Sequence, residues 1–547
     1  MIQTIQLTVL LVAVIAVVAV VAVRMKIPPA ILLVVTGVGL ALAPGLPAMV
    51  MAPEFVLLIV LPPLIYWSAV VMSWREFRFN LRPISLLSVG CVLFTTVAVA
   101  WTSHVLLHLS WPVGFVLGAI VSPPDPVAPL SIARRLGLPR RLIVILEGEG
   151  LANDATALVL YRFAVTAVSV GAFSFTQATG MFAAILVGEL LWGIGVGWAT
   201  LRLRRLVGDT GVEILLSILT PFIAFWPPEQ LGGSGVLATV TAGLYISWNG
   251  PRLISATTRL QGVFFWDFLT YLIEGLVFLV TGLQARMLFA GISAYRVSEL
   301  VSAAAIVSSV VVVTRFVWVY PAVYVPRWLI PAVRRSDPSP PWQWAFALGF
   351  TGIRGIVSLT AALAIPLVTQ DGQAFPQRDL IIFLTFTVIL VTLVGQGLTL
   401  PLVIRWLGLA NTGRQERRSE VTEELSVCRQ AIDAAIARLD KLEVERGLSA
   451  DMVRPFRTYY RDRRRNLAHR SEGEAGRGAL IAQSDDIELL LIAAERDSIN
   501  AFYRQGKLKD EARRQIERTL DLREADIFNQ SSEDSASQYR RQVFRPQ

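Results

Sequence analysis

The chain is 547 residues long, 54% hydrophobic and 17% charged, with a mean hydropathy of +0.57. This excludes a soluble protein of such length, and two cysteines in unlike surroundings, Cys91 and Cys428, exclude a disulfide framework. The formal net charge of +9 is accounted for by arginine on the loops of a membrane protein, so no nucleic-acid partner is expected.

Residues 2–23 read as a first span rather than a cleaved leader: the apolar stretch is too long, lacks a basic start, and is followed by Arg24 and Lys26. Further apolar runs lie near 29–44, 53–73, 84–108, 112–131, 143–168, 180–201, 211–226, 233–248, 264–288, 297–325, 343–368 and 379–405. That makes about thirteen candidate spans, several shorter than the ~20 residues of a straight crossing. Arginine and lysine fall in every second loop, as at Arg75/Arg78/Arg82, Arg134/Arg135/Arg140/Arg141 and Arg202/Arg204/Arg205. The alternate loops near 45–52, 169–179 and 227–232 have none, with Arg286, Arg296 and Arg378 as exceptions on that side. The positive-inside rule then puts the N-terminus outside and the C-terminus in the cytoplasm.

One run breaks the apolar pattern. Residues 146–161 place Glu147, Glu149, Asn153 and Asp154 inside a predicted membrane helix. A carboxylate in hydrocarbon costs roughly 3 kcal/mol on insertion scales, so intramembrane acids mark functional sites. At ~1.5 Å per residue, Asp154 lies roughly 16 Å into a ~30 Å core. The same arithmetic brings Asp125, Arg354 and Glu274, from three other runs, to a similar depth. Around Asp125, Pro123, Pro124, Pro126 and Pro129 remove backbone donors and predict an interrupted helix. Unwound backbone at that depth is tolerated only inside protein or along a cavity, where free carbonyls make ion sites.

The remaining intramembrane features are lesser. Gly193, Gly195 and Gly197 beside Glu189 suit close helix packing. Glu229 reads as an interfacial charge, and Arg162 and Arg315 as arginines that snorkel to an interface. Residues 232–235, Gly-Gly-Ser-Gly, read as a break between two short segments. From about residue 407 the composition turns to Arg, Glu and Asp with apolar residues at helical spacing, a cytoplasmic helical tail with a disordered end after Asn529. No His-Glu-x-x-His and no paired nucleophile and base occur, so neither an enzyme nor a cofactor is expected.

Four stretches carry a family resemblance: 122–128 (SPPDPVA), 146–154 (LEGEGLAND), 231–236 (LGGSGV) and 352–359 (GIRGIVSL). Over residues 5–405 the chain resembles the cation/proton antiporter superfamily, and within it the bacterial members of the sodium/proton exchanger branch. The resemblance implies an all-α bacterial inner-membrane protein with two inverted repeats and interrupted helices; with the change of composition, this divides the chain into a transmembrane domain over 1–406 and a tail over 407–547. It also implies a homodimer working by an elevator-like shift. It assigns Asp154 as the carboxylate that binds a monovalent cation or a proton, Asn153 as the residue orienting the break, and Asp125 as lying within it. Glu149 is expected to pair with Arg354 as a buried salt bridge, and Glu274, Ser122 and Glu147 stand as secondary candidates. Two positions depart from the pattern: Pro124 replaces a frequent Thr and Gly150 a frequent Ser, leaving backbone carbonyls or water to supply those ligands. The expected activity is proton exchange for Na⁺, with K⁺ or Li⁺ as alternatives. Asn153, where an electrogenic branch has a second Asp, implies one-for-one electroneutral exchange. The competing reading is a cation channel gated by the tail.

Overall fold

The computed structural model describes residues 2–43, 52–170, 175–292, 295–369, 371–471, 475–505, 507 and 510–530. Apart from an isolated bridge between Val368 and Ala374, the regular structure among these residues is helical. The chain divides into two compact units, Met1–Arg414 and Gln415–Gln547.

The first unit contains α1 (Ile2–Met25), α2 (Pro29–Leu42), α3 (Pro53–Val71), α4 (Leu81–Leu107), α5 (Trp111–Val121), α6 (Val127–Leu136), α7 (Arg140–Val170) and α8 (Phe175–Val207). It continues with α9 (Thr210–Gln230), α10 (Val236–Leu253), α11 (Ala256–Leu283), α12 (Val297–Leu329), α13 (Trp342–Phe350), α14 (Ile356–Leu363) and α15 (Arg378–Trp406). Among the described residues, 8 helices are long and apolar enough to cross a membrane: α1, α3, α4, α8, α9, α11, α12 and α15. Their outer faces stay apolar, with Val17 and Val23 on α1 and Leu191, Ile194 and Trp198 on α8 exposed. Apolar residues on both faces are what a helix between lipid and protein requires.

Packing sorts these helices into two bundles. In one, α2 lies along α11, α8 along α10, and α10 along α3. In the other, α5 packs on α4 and α7, and α12 on α4 and α13. Gly193 of α8 lies against the Ala238 carbonyl of α10, the close approach expected of that glycine. At the centre of the second bundle, α5 is enclosed on every side: Val113, Val116, Leu117 and Ile120 are all buried.

Two helices of this bundle are interrupted. The expected break between α5 and α6 spans 122–126, where Pro123, Pro124 and Pro126 cannot donate backbone hydrogen bonds. A second separates α13 from α14 over 351–355, where the sequence reading drew one continuous run. It contains no proline; Gly352 and Gly355 supply the turn. The breaks touch: the Asp125 amide donates to the Ile353 carbonyl at 2.7 Å. By contrast, α7 runs unbroken through Glu147, Glu149, Asn153 and Asp154.

At the arginine-rich end of the bundle, Asp337 takes Arg141 at 2.8 Å, Arg327 at 2.8 Å, and also Arg82. The start of α4, the start of α7 and the end of α12 are thereby joined at one carboxylate. Burial alone would raise the Asp337 carboxyl. The hydrogen bonds and charge of Arg141, with the charges of Arg327 and Arg82, outweigh it and hold the group below the usual carboxylate range.

The second unit is built from the helix Leu409–Arg446 beyond Arg414 and the helices Ala450–Ser471, Ala475–Arg504 and Asp510–Gln530. Arg457 bonds Asp440 and Glu443 at 2.7 Å each, and Arg464 bonds Asp433 at 3.1 Å, pairing its first two helices. Leu489, Ile492, Leu520 and Ile527 form a small core between the last two. This unit begins at Gln415. Of the expected disordered end after Asn529, Gln530 closes the last helix and residues 531–547 lie outside the described residues.

Candidate ion-binding site

Each break leaves helix ends whose backbone groups have no partner within the helix, and charged side chains meet them. The last carbonyls of α5 face Arg354, which donates from Nε to the Val121 carbonyl at 3.0 Å and from Nη2 to that of Ser122 at 3.3 Å. Its Nη1 donates to the Gly352 carbonyl. A guanidinium at a helix C-terminus also complements the helix dipole. Across the break, Asp125 Oδ1 accepts from the Val127 amide at 2.9 Å, meeting the first amide of α6. The other Asp125 oxygen lies over Gly355, where any Cβ would collide with it. Asn153 Nδ2 donates to the Pro124 carbonyl at 2.6 Å, tying the first break to α7. Arg354 and Asn153 are fully buried.

The expected pairing of Glu149 with Arg354 is corrected. Glu149 is held by Arg315 of α12, Nη1 to Oε1 at 2.5 Å and Nη2 to Oε2 at 2.8 Å. Both side chains are no more than 2% exposed. Arg315 also donates from Nε to the Leu348 carbonyl at 3.0 Å. The expectation that Arg315 snorkels to an interface is therefore wrong as well. A two-point fork on a carboxylate is the geometry that makes a buried pair tenable, whereas Arg354 is committed to carbonyls. Arg162, also expected to snorkel, pairs with Glu229.

Asp154 and Asp125 line a cavity of about 370 Å³ together with Glu147, Asp267 and Glu274. At its mouth Arg134, 60% exposed, bonds Glu147 at 2.7 Å. Asp267 accepts from Trp67 Nε1 at 2.8 Å. Among the described residues, no hydrogen bond or ion pair holds Asp154 or Glu274. The cavity thus contains partnered acids and two free ones. Asp154 sits on α7 beside both breaks, while Glu274 belongs to α11 of the other bundle. Ser122, a secondary candidate, is occupied otherwise: its hydroxyl donates to the Ala119 carbonyl at 3.1 Å. The four-residue separation of Gly150 from Asp154 puts it on the same face of α7, and Pro126 packs where a Gly150 side chain would stand.

Sequence reasoning passed over Glu189. Its carboxylate, 2% exposed, accepts from the amides of Ser234, Gly235 and Leu237 at 2.6, 3.1 and 3.0 Å. It therefore holds the 232–235 break and the N-terminus of α10. The signal was a buried acid followed by a Gly-Ser-Gly turn at the head of an apolar helix.

An all-helical membrane protein with crossing interrupted helices and free acids in a cavity beside them is an ion transporter in architecture. The comparisons narrow the class. The family model for the transmembrane sodium/hydrogen exchanger matches residues 9–406. An uncharacterised Na⁺/H⁺ exchanger of Mycobacterium tuberculosis strain H37Rv is 34% identical over 516 residues, covering 92% of this chain and 93% of that protein. The Na⁺/H⁺ antiporter ApNhaP of Aphanothece halophytica is 28% identical, covering 89% and 90%. The sodium proton antiporter MjNhaP1 of Methanocaldococcus jannaschii at pH 8 shares the fold, with a TM-score of 0.57 at 17% identity over 74% of this chain and 99% of that one.

The chain belongs to the sodium/hydrogen exchanger family. It is a multi-pass membrane transporter, and its class of activity is cation/proton exchange of the Na⁺/H⁺ type.

Proposed function

We propose that Asp154 is the carboxylate on which a proton and a monovalent cation exclude one another, and that the loaded site is exposed alternately to the two sides. The observation that carries this is selective partnering. Arg315 neutralises Glu149, backbone amides hold Asp125, Arg134 holds Glu147, and Asp154 alone among the acids of α7 is left without a partner. Hard cations take oxygen ligands, and Asp154 shares its cavity with Asp125, Glu274 and residues of both breaks. Asn153 and Asp125 position the break, Arg354 caps it, and Glu274 is a secondary acid on the opposing wall.

In this reading, α1 to α15 form thirteen spans, α5/α6 and α13/α14 each counting as one interrupted span. The matching breaks are equivalent points of two inverted repeats. The arginine-rich loops lie in the cytoplasm of a bacterial cell, the N-terminus outside, and the tail in the cytoplasm. The bundle containing α7 shifts against the other, which forms the contact of a homodimer. Exchange is one-for-one, with Na⁺ the first cation. A relative 34% identical over 341 residues, from Bacillus subtilis, is named a sodium, potassium, lithium and rubidium/H⁺ antiporter, which supports K⁺ and Li⁺ as further substrates.

The test is cation-driven proton movement in proteoliposomes. The wild type collapses an imposed pH gradient on addition of Na⁺, and Asp154→Asn does not. Conductance without counter-movement of protons would favour the tail-gated channel instead.

A further inference from the structure

Ser358, the third residue of α14, lines the same cavity as Asp154 and Asp125. It is 2% exposed, and its hydroxyl has no hydrogen-bond partner among the described residues. Nearby buried hydroxyls behave otherwise. Thr360 donates to the Ile356 carbonyl at 3.0 Å and Thr392 to that of Val388 at 2.8 Å, the usual back-bond of a helical hydroxyl. For Ser358 the corresponding acceptors would be the carbonyls of Arg354 and Gly355, which belong to the break rather than to a helix. Its hydroxyl is therefore left without a partner from the protein, an arrangement that is costly unless something meets it.

The composition of the site says what that is. Position 124 is proline, with no hydroxyl, and at Gly150 the ring of Pro126 occupies the space a side chain would need. The wall nearest α5 and α6 thus offers no side-chain hydroxyl beside Asp154. α14 packs on both α5 and α7, and Ser358 brings a hydroxyl into the cavity that Asp154 lines. Asn153 Oδ1 is also buried and unpartnered, and Asp154 bears the charge.

We infer that the Ser358 hydroxyl is a direct ligand of the transported monovalent cation, completing from the second break an oxygen shell that the first leaves short. This rests on the assignment of Asp154 as the ion-carrying acid. A hydroxyl contributes a short contact with a hard oxygen, so it matters most for the small cations Na⁺ and Li⁺ and least for K⁺.

The experiment measures apparent KM and maximal rate for Na⁺, Li⁺ and K⁺ in proteoliposomes for wild type, Ser358→Ala, Ser358→Thr and Ser358→Cys, with Asp154→Asn in parallel. Removing one ligand of an ion is expected to raise the Na⁺ and Li⁺ KM about tenfold in Ser358→Ala, with the maximal rate within about twofold and K⁺ affected less. Ser358→Thr restores Na⁺ affinity. Ser358→Cys, which keeps the volume but substitutes a soft sulfur, behaves like Ser358→Ala and provides the readout should the alanine variant fail to fold. Wild-type KM values in both the alanine and cysteine variants, with Asp154→Asn inactive, overturn the Ser358 assignment alone. A lowered maximal rate at unchanged KM, not rescued by threonine, overturns it too, as the mark of a packing role. Exchange retained in Asp154→Asn overturns the carboxylate assignment beneath it.

Discussion

Two ionic clusters tie α7 to α12, and they are built on opposite terms. In the interior, Glu149 meets Arg315 one to one, with both side chains at most 2% exposed. At the arginine-rich end, one carboxylate, Asp337, is shared by Arg141, Arg327 and Arg82, whose exposures run from 6% to 30%. In the interior the fork of Arg315 on Glu149 neutralises both charges at once, so each partner depends on the other. The surface can hold three cations around one anion because water and counter-ions screen the excess. The same two helices are therefore fastened rigidly in the interior and tolerantly at the arginine-rich end. Asp154, on the same helix as the first fastening, has no hydrogen bond or ion pair among the described residues and lines the cavity.

The largest effect should come from breaking the interior balance. Glu149→Gln strands Arg315 without its partner and should cost about 3–5 kcal/mol, read as a large fall in melting temperature in detergent. Replacing both partners, as in Glu149→Gln with Arg315→Met, should recover part of that loss. If the double variant is no better than the single one, the one-to-one dependence is wrong. Arg354→Lys comes next. A single ammonium cannot span the carbonyls of Val121, Ser122 and Gly352, so a loss of about 2 kcal/mol and slower exchange are expected.

The surface cluster should respond less. Asp337→Asn should cost about 1–2 kcal/mol, and the loss should shrink at high salt while that of Glu149→Gln does not. Its pH dependence follows from the lowered Asp337 carboxyl. The stabilisation is fully present above about pH 4, the range of an unfolded Asp, and fades as pH falls through the lower folded value. Wild type and Asp337→Asn should therefore converge in stability only in strong acid; convergence near neutrality would contradict the geometry. Smallest of all, Glu147→Gln at the cavity mouth removes a solvent-exposed pair and should change stability by less than about 1 kcal/mol.

Much of this was legible in the chain, for reasons that also mark where legibility ended. The first break announced itself because proline removes donors outright, at Pro123, Pro124 and Pro126. The second, between Phe350 and Ile356, rests on glycines, which permit a turn without requiring one. The partner of Glu149 was misread because the family resemblance assigned it to Arg354, while Arg315 was read as an arginine reaching an interface. α12 has 33 residues, or about 50 Å of helix against a ~30 Å core, so its ends overrun the bilayer and Arg315 falls near the middle. Which of two arginines reaches a given carboxylate depends on the crossing of α7 and α12, and no local pattern encodes that. Ser358 lay within a stretch singled out for its arginine, and its hydroxyl matters only because the helix starts where it does.

The central claim is that proton and cation compete for one acid, and the pH dependence of transport kinetics tests it most directly. Initial rates of Na⁺-driven exchange should be measured across a pH series at saturating and sub-saturating Na⁺. Competition predicts an apparent KM for Na⁺ that climbs towards tenfold per unit of acidification while the maximal rate holds steady. A KM indifferent to pH, with acid lowering only the maximal rate, would mean that the proton binds somewhere other than Asp154.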